Sequence, residues 1–139
     1  MGMALSEEIK ALFRGPNFAH LATVMADGSP QVAPVRVDLE GDRILVGTSE
    51  KSLKGRNTKR DPRVGISVVA QDNPYLEAQI RGRVVERWPD PRFEIKDRIA
   101  RKYTGKDFPW RNEPDQQVIL VIEAERAHHA ALPFKHTPA

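Results

Sequence analysis

Apolar and polar residues alternate with a period of two over most of the chain, which is the pattern of β-strands with one buried face. The clearest example is residues 31–38, and positions 64, 66 and 68 continue the pattern in a later segment. The residues at 117–126 begin instead as a nearly continuous apolar run, which predicts a central strand. Together these patterns predict six strands, at 18–25, 31–38, 43–48, 63–70, 75–88 and 117–126.

Turn residues and helical spacing divide these strands. Asp27-Gly28 is a hairpin signal, Pro34 predicts a sheet edge or a bulge, and Gly82 predicts a bend or bulge in its strand. Short helices are predicted at 5–13, at about 50–60 and at 92–103. The chain is therefore expected to be mainly β, with six antiparallel strands closing into a small barrel, in a single domain over residues 1–139.

The composition excludes several classes of protein. With 40% hydrophobic and 29% charged residues, the chain is typical of soluble globular proteins. It contains no cysteine, which excludes disulfides, thiolate zinc sites and thiol catalysis. It has no apolar run near the roughly 18 residues of a membrane span and no apolar signal region at the N-terminus. We therefore expect a cytoplasmic protein without a membrane partner.

The charge is nearly balanced, but the cations cluster. Lys and Arg total 22 against 19 Asp and Glu, which is too balanced for a dedicated nucleic-acid-binding protein. Six cations nevertheless fall within residues 48–63, termed here the basic segment, and they are opposed there by two acidic residues. An anionic small molecule is therefore expected to bind near this segment, and nucleic acid is not.

The basic segment predicts a phosphate site, because it follows an apolar strand and has the composition of a helix start. Ser49 can cap that helix, Glu50 suits its first turn, and Pro62 ends it. Hydroxyls, free backbone N–H groups and cations would then meet at one helix N-terminus. The candidate phosphate ligands are two cations, with three polar side chains as hydrogen-bonding partners: Lys54, Arg56, Ser49, Ser52 and Asn57.

The spacing of the two cations leaves alternatives open. On an ideal helix, positions 54 and 56 lie about 200° apart. Either the helix begins later than residue 50, or only part of the set contacts one phosphate. A basic helix that simply faces solvent is the remaining interpretation.

An ordered series of short motifs runs from about residue 5 to residue 127. The motifs are His20-Leu-Ala-Thr23, Asp27-Gly-Ser-Pro30, Pro34-Val-Arg36, Val46-Gly-Thr48, Ser52-Leu-Lys-Gly-Arg-Asn57, Arg60-Asp-Pro62 and Gly82-Arg-Val84. As a set they resemble the split-barrel flavin- and deazaflavin-binding superfamily that includes pyridoxamine 5′-phosphate oxidase. Lys-x-Arg-Asn followed by Arg-Asp-Pro is most similar to the branch that uses the deazaflavin cofactor F420. The pyridoxal-phosphate-binding C-terminal extension of the oxidase has no counterpart, which argues against pyridoxamine phosphate as the substrate.

The resemblance implies an FMN-binding type of split barrel and a homodimer with cofactor sites at the subunit interface. It also implies that Val35 and Arg36 lie beside the cofactor ring, that Thr48 contacts the cofactor near the strand end, and that Gln79 reaches the other subunit's cofactor. For three of these residues a structural alternative stays open. Arg36 could pair with Asp38, Thr48 could simply pack in its strand, and Gln79 could face solvent.

The function implied is that of an F420-dependent reductase, which passes a hydride from reduced deazaflavin to an unsaturated or quinone-like small molecule. The alternatives are an FMN-binding oxidoreductase of the same superfamily and a binding protein without catalysis. The cofactor carries the chemistry, so no catalytic side chain is predicted. Trp110, in a proline-bounded loop, is the best aromatic candidate for a substrate pocket. No metal site is predicted, since adjacent strand residues such as His128 and His129 point to opposite faces.

Overall fold

A computed structural model of the chain describes residues 2–137. Within them lie seven strands, three α-helices and one 3₁₀-helix at Pro114–Gln116. In chain order the elements are α1 Glu7–Arg14, β1 Ala19–Val24, β2 Pro30–Val35, β3 Asp38–Glu40, β4 Arg43–Ser49, α2 Leu53–Arg60, β5 Arg63–Ala70, β6 Asn73–Pro89, α3 Glu94–Thr104 and β7 Gln117–Ala131. The architecture is mainly β with short helices, which confirms the predicted fold class.

All seven strands form one antiparallel sheet in the order β2-β1-β5-β6-β7-β4-β3. The register between β6 and β7 shifts at Arg81/Gly82 and again at Val84/Glu86, which confirms the predicted irregularity at Gly82. Strand β7 pairs with both β4 and β6, as expected of a central strand. Strand β2 lies at the edge of the sheet, where the missing N–H of Pro34 costs no ladder bond.

Two apolar clusters hold the fold together. The larger one is formed by the inward positions of the strands, and α1 packs onto it with Ile9, Leu12 and Phe13. The smaller one lies on another face of the β4–β7 pair, where Leu45, Ile119 and Val121 pack with Trp88 and Ile95. Ile95 belongs to α3, so this second cluster fixes α3 against the strands.

The predicted strand 31–38 is interrupted, and this gives seven strands instead of the predicted six. β2 ends at Val35 and the three-residue β3 begins at Asp38. The backbone of Val37, between them, bonds to side chains of α3: its N–H donates to the Tyr103 hydroxyl at 3.0 Å, and its carbonyl accepts from the Lys102 ammonium. Because α3 satisfies these groups, the chain can leave the ladder here without burying unpaired polar atoms.

Two predicted boundaries were also wrong. The helix expected at about 50–60 begins at Leu53, so the first of the two alternatives for the basic segment is correct. The strand expected to end at residue 126 continues to Ala131, because residues 127–131 pair with β6 from Leu76 to Ile80. Backbone pairing with a long neighbour keeps even the polar His128-His129 in the sheet. No helix within residues 2–137 is long and apolar enough to cross a membrane.

Candidate cofactor site

A cleft of about 560 Å³ opens between the β4–α2 junction on one side and α3 with the following loop on the other. Backbone and side chains from five parts of the chain line it. These are Pro34, Val35 and Arg36 at the end of β2; Gly47, Thr48 and Ser49 of β4; Ser52 and Lys54; Lys96, Ile99 and Ala100 of α3; and Phe108, Trp110, Asn112, Glu113 and Gln117. The cleft is therefore walled by residues that are distant in sequence.

Ser52 organises the β4–α2 junction. Its Oγ accepts from the Gly55 N–H at 3.0 Å, which makes Ser52 the N-cap of α2 in place of the predicted Ser49. The same hydroxyl donates to the Ser49 carbonyl at 2.7 Å and lies 2.7 Å from the Thr48 hydroxyl. These three bonds use the whole hydrogen-bonding capacity of the Ser52 hydroxyl. Its first role is thus to fix the start of α2.

Gly55 allows α2 to approach the end of β4 closely. A Cβ built on Gly55 would lie 2.2 Å from the Ser49 carbonyl oxygen and 3.1 Å from that of Glu50. Neither atom can move aside, because both belong to the backbone of the junction. Only glycine fits between Lys54 and Arg56 while the helix keeps this position.

Arg87 of β6 fixes the first turn of α2 from beneath. Its guanidinium pairs with Glu50 and donates to the Gly55 carbonyl and to the Thr58 hydroxyl, each at 2.9 Å. The side chains of Arg87 and Glu50 are mostly buried, at 21% and 30% exposure. Glu50 lies in the turn before α2 and not in its first helical turn as predicted. It serves instead as the partner of Arg87 in β6, a contact between distant parts of the chain that sequence reasoning did not find.

Lys54 projects from the first turn of α2 into the cleft, where it is partly buried. Burial lowers the pKa of its ammonium group below the ordinary lysine value. Within residues 2–137, no carboxylate forms an ion pair with it. A half-buried cation without a counter-ion is poised to accept an anionic ligand.

Lys96 of α3 is the second cation of the cleft and is only 7% exposed. Its ammonium group donates to Gln117 Oε1 and lies 5.3 Å from the centre of the Phe108 ring. Its stem crosses Gly47, where a built Cβ would come within 3.2 Å of Lys96 Cγ. Burial lowers the pKa of Lys96 to about 8, with the nearby positive charge of Lys54 as a smaller contribution in the same direction.

Aromatic side chains form the opposite wall of the cleft. The Phe108 ring lies 6.1 Å from that of Phe93 and 5.5 Å from that of Trp110. Asp97 of α3 holds this loop, since its carboxylate accepts from the Phe108 N–H at 3.0 Å and from Arg111 at 2.6 Å. Trp110 is 68% exposed, which leaves its ring available to a planar ligand.

Six of the predicted site residues line this one cleft, and three do not. The six are Val35, Arg36, Thr48, Ser49, Ser52 and Lys54. Arg56 lies on the exposed side of α2, so of the two predicted phosphate cations only Lys54 lines the cleft. The binding role of each of the six stays a prediction, but the geometry brings them together.

Asn57 and Gln79 lie elsewhere. Asn57 is 1% exposed, and its amide donates to the Thr23 hydroxyl at 3.0 Å, so it ties α2 to β1. Its carbonyl oxygen accepts from Arg60 at 2.8 Å. Gln79 is exposed on β6, within a separate shallow depression that also includes His20 and Arg81. Neither residue lines the cleft of its own chain.

Arg36 forms no ion pair with Asp38, which was the alternative considered for it. Asp38 pairs with Arg98 at 3.2 Å and with Lys102 at 3.7 Å. The Arg36 guanidinium lies instead over the Tyr103 ring, 5.8 Å from its centre. Stacking on α3 holds Arg36 at the cleft without neutralising its charge.

Lys96 is the site residue that sequence reasoning missed. A signal was nevertheless present: Lys96 shares a helical face with Ile99, Ala100 and Tyr103, at spacings of three, four and seven residues. A cation within a buried apolar stripe is unusual and often marks a functional position.

Known proteins share both the fold and part of this sequence. A solved structure described as an F420 reductase is 31% identical, covers 89% of this chain and 98% of its own, and superposes with a TM-score of 0.81. A conserved hypothetical protein from Mycobacterium tuberculosis is 23% identical over 99% of this chain and 95% of its own, with a TM-score of 0.74. General stress protein 26 from Bacillus anthracis is 18% identical over 89% and 92%, with a TM-score of 0.69. The last two establish similarity of fold alone.

The family model of pyridoxamine 5′-phosphate oxidase matches residues 5–130 of the chain. This range includes all seven strands of the sheet apart from the last residue of β7. It also includes every residue that lines the cleft. The chain therefore belongs to the pyridoxamine 5′-phosphate oxidase family of split-barrel oxidoreductases, as its ordered motifs predicted.

Proposed function

We propose that this protein is an F420-dependent reductase, which transfers a hydride from reduced deazaflavin to an unsaturated or quinone-like small molecule. One observation carries the proposal: the cleft combines two ammonium groups that have no carboxylate partner in the described chain with a wall of aromatic side chains. A ligand that joins a phosphate to a planar ring system would satisfy both features. The 31% identity to an F420 reductase supports the deazaflavin over other such ligands.

The residues of the cleft suit the parts of such a cofactor. Lys54 and the Ser49 hydroxyl would hold the phosphate, and Val35 with Arg36 would lie beside the ring. When bound, the reduced deazaflavin supplies the hydride from C5 of its ring. The apolar side chains of α3 and the aromatic loop would orient the acceptor and exclude water from the reacting atoms. No side chain is assigned a proton-transfer role.

F420 carries an acidic oligoglutamate tail beyond its phosphate, and the cations of the basic segment are unequally available to such a tail. Lys51 pairs with Glu113 at 2.8 Å, and Arg60 donates to the Val24 carbonyl at 2.9 Å. Lys59 and Arg56 are exposed on α2 and have no ion pair within the described residues. An acidic tail would therefore bind most readily along the outer side of α2.

An FMN-binding oxidoreductase is the second candidate, and one observation favours it. Two neighbouring ammonium groups complement the dianionic phosphate monoester of FMN as well as they complement a phosphodiester with an adjacent carboxylate. The superfamily that the sequence resembles includes flavin-binding as well as deazaflavin-binding members. The two candidates share the fold and the cleft, so they differ in ligand preference alone.

We also propose that two copies of the chain associate and complete each other's sites. Support comes from the face that carries Gln79, because the large apolar side chains Val32 and Val69 are exposed there, at 59% and 38%. In this arrangement Gln79 would reach the cofactor of the partner subunit. Sedimentation equilibrium should give twice the chain mass, and a monomer at micromolar concentration would contradict the proposal.

The test of function is a parallel titration of the purified protein with F420 and with FMN, followed by fluorescence quenching. Micromolar or tighter F420 binding with weaker FMN binding would support the reductase and justify a screen of quinone and enone acceptors. A preference for FMN would move the chemistry to flavin redox on the same fold. Failure of both to bind would overturn the enzymatic proposal.

A further inference from the structure

Two lysines reach the same cleft from separate helices, and each lacks the partner that a buried cation normally has. Lys54 comes from α2 and Lys96 from α3, 42 residues later in the chain. Within residues 2–137, neither ammonium group forms an ion pair with a carboxylate. Buried like charges are costly and are retained where a ligand compensates for them. We call the space between them the paired-lysine pocket.

The surroundings of Lys96 keep its ammonium group inside this pocket. The stem is confined by Gly47, where any larger residue would press on Lys96 Cγ and Cε, at 3.2 and 3.3 Å from a built Cβ. The ammonium group is held by a neutral amide oxygen of Gln117 and by the face of Phe108. Both contacts orient the charge without neutralising it. The Gln117 side chain is itself oriented, since its amide donates to the carbonyls of Asn112 and Glu113 at 3.2 and 3.1 Å.

The charged groups around Lys96 can be named element by element. Asp90 lies in the turn before α3, and its carboxylate accepts from two backbone N–H groups of that helix, including that of Lys96 at 3.0 Å. Its charge raises the pKa of Lys96, while that of Lys54 lowers it. Glu113 and Arg36 complete the charged lining of the cleft. The lining of the cleft therefore carries three positive side chains, those of Arg36, Lys54 and Lys96, and one negative side chain, that of Glu113.

We propose that Lys96 is a ligand-binding residue, which forms with Lys54 a pocket for a tetrahedral oxoanion such as the phosphate of the cofactor. The inference deepens the proposed function and rests on it for the identity of the ligand, but the oxoanion pocket itself is a property of this chain. Lys96 would supply the contact from the α3 side, where the sequence alone predicted none.

This arrangement makes anion binding depend on proton uptake. Burial and Lys54 lower the pKa of Lys96 to about 8, so the free protein loses this cation as the pH rises through that value. A bound oxoanion favours the protonated form and raises the pKa again. Binding therefore takes up a proton above pH 8, and the affinity falls as the pH rises further.

Sulfate is a suitable probe, because it is tetrahedral and stays fully ionised throughout this pH range. We would titrate the 139-residue chain with sodium sulfate at pH 7 and at pH 9.5, at constant ionic strength, and record the lysine ¹³Cε resonances by NMR. We expect the affinity to fall about tenfold between the two pH values, and the Lys96 resonance to titrate at higher pH when sulfate is bound. Lys96→Met should weaken sulfate binding about tenfold at pH 7 and remove most of its pH dependence.

Lys135→Met is the matched control, since it removes the same charge from an exposed position outside the cleft. It should bind sulfate like the unaltered protein. No detectable sulfate binding, unchanged affinity in Lys96→Met, or equal losses in both variants would overturn the inference. The F420 titration tests the proposed function separately. If sulfate binds with the expected pH dependence but F420 does not bind, the pocket is retained and the proposed function is overturned.

Discussion

The two helices that present a lysine to the cleft are held in place by different forces. Helix α2 buries only Gly55, Asn57 and Thr58, and hydrogen bonds fix its position. Helix α3 buries Ile99 and Ala100 and packs Ile95 against the strand cluster. Hydrophobic burial is non-directional, whereas each polar contact of α2 requires a particular partner at a particular distance. The α2 side of the cleft thus depends on specific hydrogen-bonding partners, whereas the α3 side is held by apolar packing that tolerates small shifts.

This difference predicts where single substitutions will do most damage. Changes at the residues that hold α2 in place, Gly55 and Arg87, should displace the helix and lose function together, because no apolar face keeps it in place. Changes at Lys96 of α3 should leave the fold intact, or even stabilise it, while altering ligand binding. The following predictions test this contrast in order of decreasing effect.

Gly55→Ala should have the largest effect. Its Cβ would lie 2.2 Å from the Ser49 carbonyl oxygen, so the first turn of α2 must move away from β4. We expect a loss of about 3 kcal/mol in the free energy of unfolding by urea, with loss of cofactor binding. Gly65→Ala is the control, since its Cβ would meet its nearest neighbour at 3.8 Å and should cost under about 1 kcal/mol. Equal costs for the two variants would refute the close-approach argument.

Arg87→Ala should come next. It removes the mostly buried partner of Glu50 and two hydrogen bonds to α2, and we expect it to cost about 2–3 kcal/mol of unfolding free energy. Arg83→Ala is the comparison, because the ion pair of Arg83 with Glu125 is about half exposed and should contribute under about 0.5 kcal/mol. Thermal or urea unfolding of both variants would measure the difference. A neutral Arg87→Ala would mean that α2 does not depend on its polar network.

Lys54→Ala should weaken cofactor binding by about 1.5–3 kcal/mol, the worth of one charge-assisted hydrogen bond. Its effect on stability should be small and favourable, since a half-buried cation is removed. Fluorescence titration of this variant beside Lys135→Ala, which removes an exposed lysine outside the cleft, separates a specific contact from a general loss of charge. Unchanged affinity in Lys54→Ala would move the phosphate site elsewhere.

Lys96→Met should stabilise the fold, which is the opposite of Gly55→Ala and Arg87→Ala. The pKa of Lys96 in the folded protein is about 8, below the value of 10.5 for a free lysine. Burying the charged form therefore costs stability below pH 8, and this cost disappears as the pH rises from about 8 to 10.5. We expect Lys96→Met to be more stable by about 1–2 kcal/mol at pH 7, with a gain that shrinks above pH 8. A destabilised variant at pH 7 would show that its contacts with Gln117 and Phe108 outweigh the burial cost.

The same contrast explains what could be predicted from the sequence. The strands were predictable because alternation reports a buried face directly, and Lys54 was predictable because its helix start, hydroxyls and cations are adjacent in the chain. Lys96 was not, because its partners Gly47 and Gln117 come from other strands. The cap of α2 was placed at Ser49 because both Ser49 and Ser52 suit a helix start, and the close approach at Gly55 decides between them. β3 was not predicted, because a strand of three residues is too short to show an alternation of apolar and polar positions.

The two edges of the sheet also bear on how this protein can be altered. Strand β2 carries Pro30 and Pro34, and β3 at the other edge is three residues long. Prolines and short strands deny a foreign strand a template for pairing, and so protect a protein from aggregation. Pro34 also lines the cleft, which makes it an obvious target for engineers who wish to change ligand preference. Replacing it would restore an N–H on an open edge, so solubility at high concentration should be checked before any change in specificity is interpreted.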